Sequence, residues 1–234
     1  MNSESRRLHD QPAYGAAEAA RILALPAGTV KAWCFGHDYL QRDGGRKQFQ
    51  RVIEPADPVG RMLSFVNLCE LHLLGVIRRR HGIKLPQIRK AVDFLQQRLD
   101  VQRPLATQQF LTNGVALFVE HAGELLNVSQ QGQRALANDF AQALDRIRFG
   151  DDGRPVRLFP FTREVAAGAE QPRAVMVDPN LSFGRPVVQG ANVRTEVIEQ
   201  RFRAGDTIAE MADDYGVDVP VIEEVLRFER RRAA

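Results

Sequence analysis

The sequence predicts a mainly α protein of the α+β class: an N-terminal winged helix-turn-helix, a central small antiparallel β-meander and a C-terminal three-helix domain. Three observations point there. The stretch AAEAARILALPAGTVKAWCFG (16–36) holds two short helical patterns split at a proline, and a turn follows at Asp43-Gly44-Gly45. Apolar residues at helical spacing dominate 61–99 and 133–147. The stretch GDTIAEMADDYGVDVPVIEEVLRF (205–228) repeats the helix–turn–helix order with opposite charge.

In order along the chain, Ala16, Ala19, Ala20 and Leu23 share one face of a first helix, and Ile22 widens it. Pro26 suits the first position of a second helix reaching about Cys34, with Val30, Trp33 and Cys34 inward and Gly36 ending it. A hairpin is expected between Tyr39–Arg42 and Phe49–Ile53. Arg61–Arg80 is apolar on almost every side, so neighbouring elements or a second subunit must cover it. Pro86 opens the next helix. Turn signals at Asn113-Gly114 and Ala122-Gly123 divide Phe110–Thr112, Val115–Glu120 and Leu125–Val128 into three expected strands. A helix from about Gln133 to Arg146, with Ile147 inward, a turn at Asp151-Asp152-Gly153 and a closing strand over Pro155–Phe161 complete the middle.

Thr162–Ala174, polar and rich in small residues, reads as a linker. The expected division is therefore 1–100 for the winged helix-turn-helix head with its following helices, 101–161 for the middle, 162–174 for the linker and 175–234 for the tail. In the tail, the prolines and glycines of FGRPVVQG shape an extended arm expected to pack on a neighbouring subunit or domain. As a phosphate-holding loop, that segment lacks a following Lys-Ser/Thr. Three helices follow over about Thr195–Arg203, Thr207–Tyr215 and Pro220–Arg231, with a Thr207/Glu210 capping box and a stop at Gly216.

Composition narrows the function. No apolar run approaches the roughly 18 residues that span a bilayer, and the polar first residues lack a signal-peptide core, so a cytoplasmic protein is expected. Cys34 and Cys69 lie within apolar helical patterns and read as reduced core residues. The overall charge is only +3, but it is unevenly spread. From Arg21 to Arg51 six cations face two acids, a net of +4, whereas Asp206–Arg230 carries eight acids against two cations, a net of −6. A polyanion is attracted to the first helix pair and repelled by the second.

Major-groove reading requires polar side chains on the outer face of a helix and cations for phosphates. Thr29 and Lys31 are the candidates on the helix, with Arg42, Arg46 and Lys47 as a clamp at the hairpin tip. The plainer alternative is a helical hairpin with a solvated basic face. In the tail, Glu210, Asp213, Asp214, Glu223, Glu224 and Glu229 form an expected exposed acidic surface that suits a basic protein partner. The five histidines lack metal-ligand spacing, the adjacent acid pairs diverge, and no G-x-S-x-G occurs. Neither an enzyme nor a cofactor or metal site is expected.

Tyr14–Phe49 resembles the DNA-binding head of the MerR-type regulators. The second helix of that family carries T-x-[KR]-x-W, here Thr29-Val30-Lys31-Ala32-Trp33, and its wing carries a basic residue two before an aromatic, here Lys47-Gln48-Phe49. The two helices that follow are similar as well, with Ile88-Arg89 in the second. Phe49 replaces the usual tyrosine and its hydroxyl, and the family's long dimerising coiled coil is missing. From Val177 to Glu229 the chain is similar throughout to the small helical domain of VapB-type antitoxins, with the "dP…GrPv…G" and "G.t.eemA.dYgv" signatures in place. Head and tail together resemble one subgroup of those antitoxins. The resemblance implies a homodimer that represses its own operon through operator DNA and neutralises a PIN-domain ribonuclease toxin. Glu210, Asp213, Asp214, Glu223 and Glu224 are the candidate toxin contacts, and helix 61–80 with the central strands is the candidate dimer core. Two other readings stay open: a MerR-like regulator sensing a ligand in Ala106–Phe161, and a protein-binding module without DNA binding.

Overall fold

Small side chains set the first packing event. The structure, a computed structural model, describes residues 8–40, 46–81, 83, 85–101, 103–107, 110–126, 129–163 and 171–233. Helix α1 (Ala16–Leu23) buries Ala19, Ala20, Ile22 and Leu23, and its alanines let α2 (Ala27–Phe35) approach closely. Pro26 sits one position earlier than expected, as the extended cap of α2, with its carbonyl accepting from Thr29 N at 2.9 Å. Strand β1 (Tyr14–Gly15) leads into α1 and pairs antiparallel with β4 (Met62–Leu63). Between them, β2 (His37–Leu40) and β3 (Arg46–Phe49) form an antiparallel hairpin in the register Tyr39↔Lys47, with both strands earlier than the expected Tyr39–Arg42 and Phe49–Ile53.

Helix α3 (Phe65–His81) is the axis of the core. Leu68, Cys69, Leu71, Leu73 and Leu74 have no exposed surface. Each buried leucine contributes about 2 kcal/mol. Its cover comes from this same chain: α1, the 3-10 turn Pro104–Ala106 and α6 (Gln130–Asp145). The helix is thus spent inside one subunit, which removes it as the expected dimer core. Helix α4 (Leu85–Leu99) packs on α5 (Val115–Leu126).

Among the described residues the central β-meander is absent, and with it the central strands expected at a dimer interface. Phe110–Gly114 is a π-helical turn that runs directly into α5. Phe118, Val119 and Ala122 are buried at helical spacing, and Phe110, Phe118 and Phe140 meet edge to face with ring centroids 5.1–6.5 Å apart. The two glycines that read as turns serve packing instead. A Cβ at Gly114 would meet the Phe110 ring at 2.6 Å, and one at Gly123 would meet Gln133. The mainly α, α+β class holds all the same, with the sheets reduced to two-stranded pieces.

After α6, β5 (Ile147–Phe149) and β6 (Pro155–Leu158) form a hairpin, so Ile147 opens a strand rather than extending the helix. Leu158 exchanges backbone bonds with Val177, which joins this hairpin to the ribbon of β7 (Val175–Met176) and β8 (Val187–Val188). One buried cluster runs from Tyr14 to Val177. A second, with Ile198, Met211, Ile222, Val225 and Phe228 at its centre, lies among α7 (Thr195–Ala204), α8 (Ile208–Tyr215) and α9 (Val219–Ala233). Both bonds of the Thr207–Glu210 capping box are present, and Gly216 ends α8 at φ 63°. Cys34 and Cys69 are free and buried, with burial pushing both thiols up.

The proline- and glycine-rich arm packs on this chain's own head. The Tyr14 hydroxyl, 1% exposed as a residue, donates to the Gly184 carbonyl at 2.9 Å, and Arg185 pairs with Glu18 on α1. Gly184 has φ +74°, and a Cβ there would collide with the Tyr14 hydroxyl. Gly184→Ala is therefore expected to cost about 2 kcal/mol in urea unfolding, from left-handed strain and a lost hydrogen bond. Tyr14→Phe, which loses the bond alone, should cost about half that. Equal losses in the two variants would rule out the steric part.

Candidate nucleic-acid interface

Helix α2 is anchored through one face and open on the other. Val30, Trp33 and Cys34 are completely buried, while Ala27, Gly28 and Lys31 are exposed and Thr29 is half-buried. Nothing lies within 4 Å of a Cβ built on Gly28, so the leading turn is bare enough for close backbone approach. The Trp33 carbonyl accepts from Val52 N at 2.7 Å and Ile53 N at 3.0 Å, which ties the segment directly after β3 to the helix. Helix and hairpin thus form one unit, the geometry that seats a helix in the major groove with a wing beside it.

Of the expected clamp, Arg42 lies outside the described residues. Arg46 and Lys47 lie on β3 opposite Leu40 and Tyr39, with their side chains outside what is described. Two cations absent from the expected set flank α2. The Arg61 guanidinium lies 4.7 Å from the Phe35 ring centre and that of Arg78 lies 6.0 Å from Trp33. Such stacking holds a charge beside the helix without a carboxylate partner. No local sequence signal marks Arg61, which reaches Phe35 only because the chain turns back at 57–62.

A further residue missed from sequence, Asn67, fixes the segment after the wing. Its Oδ1 accepts from Ala56 N at 3.0 Å and Ser64 N at 3.1 Å, while its Nδ2 donates to the Glu54 carbonyl at 2.8 Å and to Glu70 Oε2 at 2.9 Å. Ser64, Asn67 and Glu70, three residues apart in an otherwise apolar run, are the signal that could have found it. Glu70 is fully buried, and burial raises its carboxyl to about 7 against the lowering effects of Arg103 and Asn67.

The tail acids divide. Asp213 is exposed. Glu210 is exposed too, but its carboxylate accepts from Thr207 N and Oγ1, both at 2.8 Å, and these bonds hold it below the usual range. Asp214 pairs with Arg201 at 2.6 Å, and Glu223 lies 3.8 Å from Arg227. Glu224 and Glu229 overturn the expected exposure, at 4% and 6%. Glu224 accepts from Thr162 Oγ1 at 2.6 Å and pairs with Arg163 and Arg227, and Glu229 accepts from Thr195 Oγ1 at 2.5 Å. Hydroxyls from outside α9 draw both carboxylates inward, joined at Glu224 by Arg163.

Histidines of the core serve packing: His72 Nε2 lies 3.1 Å from the Ala143 carbonyl, and His81 pairs with Asp139 at 2.7 Å. Among the described residues no group of three or more His, Cys, Asp or Glu is placed to hold a metal ion. No helix among them is long and apolar enough to cross a membrane.

The head and tail define a helix-turn-helix protein with an appended helical domain, and comparisons agree. Residues 12–92 match a family described as "Putative DNA-binding HTH domain", and residues 175–228 match one described as "Protein of unknown function (DUF433)". The chain is 30% identical over 232 residues to "Putative antitoxin VapB45" of Mycobacterium tuberculosis (strain ATCC 25618 / H37Rv), with 93% of each chain covered. It belongs to that protein's family. A second relative from the same organism, "Uncharacterized protein Rv2308", is 24% identical over 227 residues, covering 95% of this chain and 92% of the relative. The crystal structure of Rv2018 from Mycobacterium tuberculosis shares the fold, with a TM-score of 0.66 at 24% identity over 93% of this chain and 98% of that one.

Proposed function

We propose that the protein is a cytoplasmic, non-enzymatic antitoxin that represses its own operon and neutralises a PIN-domain ribonuclease toxin. The observation that carries the reading is the face of α2, where Lys31 stands exposed on a helix whose opposite side is locked by Trp33. A homodimer would set two such helices into successive major grooves, with Thr29 and Lys31 at base edges or phosphates. Arg42, Arg46 and Lys47, joined by Arg61 and Arg78, would hold the backbone. Family membership with an antitoxin-named relative supports the toxin partner. Its contacts are assigned to Glu210, Asp213 and Asp214 on α8 and Glu223 on α9. Buried Glu224 is left out of that set.

The test is binding of the full-length chain to its upstream DNA across a salt series. Affinity should fall steeply as salt rises, since each neutralised phosphate releases counterions. Lys31→Glu should weaken binding by about 100-fold, because a dimer places the reversed charge at both half-sites. Its unfolding midpoint should stay put, as Lys31 supports no packing. Affinity within twofold of the parent would rule out α2 as the reading helix. The full chain is needed, because removal of the tail would strip Gly184 and Arg185 from the head.

A further inference from the structure

The segment that leads from the wing back to the core makes a tight turn at Asp57-Pro58-Val59-Gly60, and Val59 at its tip is 94% exposed. Aspartate first, proline second and glycine fourth is the order that favours a type I turn. Asp57 N donates to the Met62 carbonyl at 3.0 Å and Met62 N to the Asp57 carbonyl at 2.9 Å, which closes the loop at its base. The Asp57 carboxylate is turned onto the loop as well: Oδ1 accepts from Val59 N at 3.0 Å and Gly60 N at 2.8 Å. A Cβ on Gly60 would collide with that carboxylate. A lone exposed valine is ordinary on a protein surface. This one is held at a fixed point, by bonds in which its side chain takes no part.

Two contacts place the turn on the helix-turn-helix. Met62 pairs with Gly15, the residue that caps the start of α1. Arg61, directly after the tip, has a left-handed φ of 55°, and its guanidinium lies 4.7 Å from the Phe35 ring centre. Phe35 follows Lys31 by four residues, so the two are surface neighbours on α2. The turn therefore stands at the end of the exposed face that carries Lys31, beside the origin of the wing at His37. Pro58, Val59, Gly60 and Arg61 are all exposed. The acids beside them are already engaged, Asp57 by backbone N–H groups and Glu54 by Arg51 at 2.6 Å.

We propose that this turn is a second DNA-contacting element beside α2, with Val59 against the deoxyribose edge of the operator and Arg61 at the adjoining phosphate. The inference rests on the reading of α2 as the operator-binding helix and extends the surface of that helix. Sugar and phosphate contacts fix register on the duplex without reading bases. Apolar side chains serve against DNA where a groove presents uncharged sugars and base edges. A turn already locked by its own backbone bonds makes such a contact with little further ordering. A protein partner would find here one small apolar side chain between Lys31 and Arg61, far less than the buried aromatic anchors on which protein interfaces depend. A duplex needs only the small contact and the flanking charge.

Hydroxyl-radical footprinting, which cleaves exposed deoxyribose, reads this contact on the full-length chain bound to its upstream DNA. The parent is expected to protect a run of sugars beside those covered by α2. Val59→Asn should lose that protection and bind several-fold more weakly. Val59→Asp, which sets a negative charge beside phosphates, should weaken binding about tenfold or more. Arg61→Gln should reduce the slope of log affinity against log salt by about two, one for each half-site. Unfolding midpoints of the Val59 variants should match the parent's, because the replaced side chain is exposed. If the parent binds and Lys31→Glu does not, while Val59→Asp keeps the parent's affinity and footprint, the inference is overturned and the reading of α2 stands. A parent that fails to bind its DNA overturns both. Loss of toxin capture or dimerisation by Val59→Asp with operator affinity intact also overturns the inference, and gives the turn to a protein.

Discussion

Arg146→Met is expected to destabilise the protein by about 4 kcal/mol, the largest single loss we anticipate. Arg146 is 3% exposed and sits at the end of α6. Its Nε donates to the Phe159 carbonyl at 2.9 Å, Nη1 to Gln171 at 2.8 Å, and Nη2 to Pro160 at 3.3 Å and Pro172 at 2.7 Å. The guanidinium lies 5.3 Å from the Phe161 ring centre. No carboxylate touches it in this set of bonds, and burial pulls its pKa down to about 10. Methionine would fill much of the volume but leave four carbonyls without their donor, each costing about 1–3 kcal/mol where water cannot replace it. Lysine has one nitrogen and cannot span both segments, so Arg146→Lys should recover less than half of the loss. Urea unfolding of the three proteins decides; a methionine variant within 1 kcal/mol of the parent would refute the staple.

Glu70→Gln should stabilise the protein in a pH-dependent way. The carboxyl is raised from 4.5 to about 7 in the folded chain by burial. Below the unfolded value both states hold the proton, and the folded protein loses nothing. As pH rises through the interval to about 7, the unfolded state ionises first, so stability falls until the folded carboxyl ionises too. The full loss is about 3 kcal/mol, and glutamine, neutral throughout, escapes it. The gap in stability between Glu70→Gln and the parent should open from near zero at acid pH to that size above pH 7. His9, which burial depresses, acts in the opposite sense but equally in both proteins, so the difference removes it. A gap independent of pH would show that Glu70 titrates normally. Because Asn67 ties Glu70 to the segment after the wing, operator affinity measured beside stability would also report whether that tie matters for DNA.

Much of the head and tail was legible in the residues alone. The break at Pro26, the inward Val30, Trp33 and Cys34, the existence of a hairpin after α2 and the Thr207/Glu210 box are local signals, and local signals suffice where the chain's neighbours in space are its neighbours in sequence. The exposed face with Lys31 follows from the same periodicity. The middle failed for a physical reason. Asn113-Gly114 and Ala122-Gly123 look like turns, yet these glycines make room for Phe110 and Gln133, partners that a linear reading cannot place.

What the sequence by itself determined was the helical class, the order of the head, and the contrast between a basic helix pair and an acidic one. Periodicity, caps and charge are properties of short segments. Only the tertiary structure decided which acids are free to meet a partner, since Glu224 and Glu229 are turned inward by hydroxyls 62 and 34 residues away. It likewise decided that the long apolar helix is covered within its own chain, and that the tail's arm closes on Tyr14, 170 residues from Gly184. Burial and pairing depend on what folding brings together across such distances, and no periodicity encodes that.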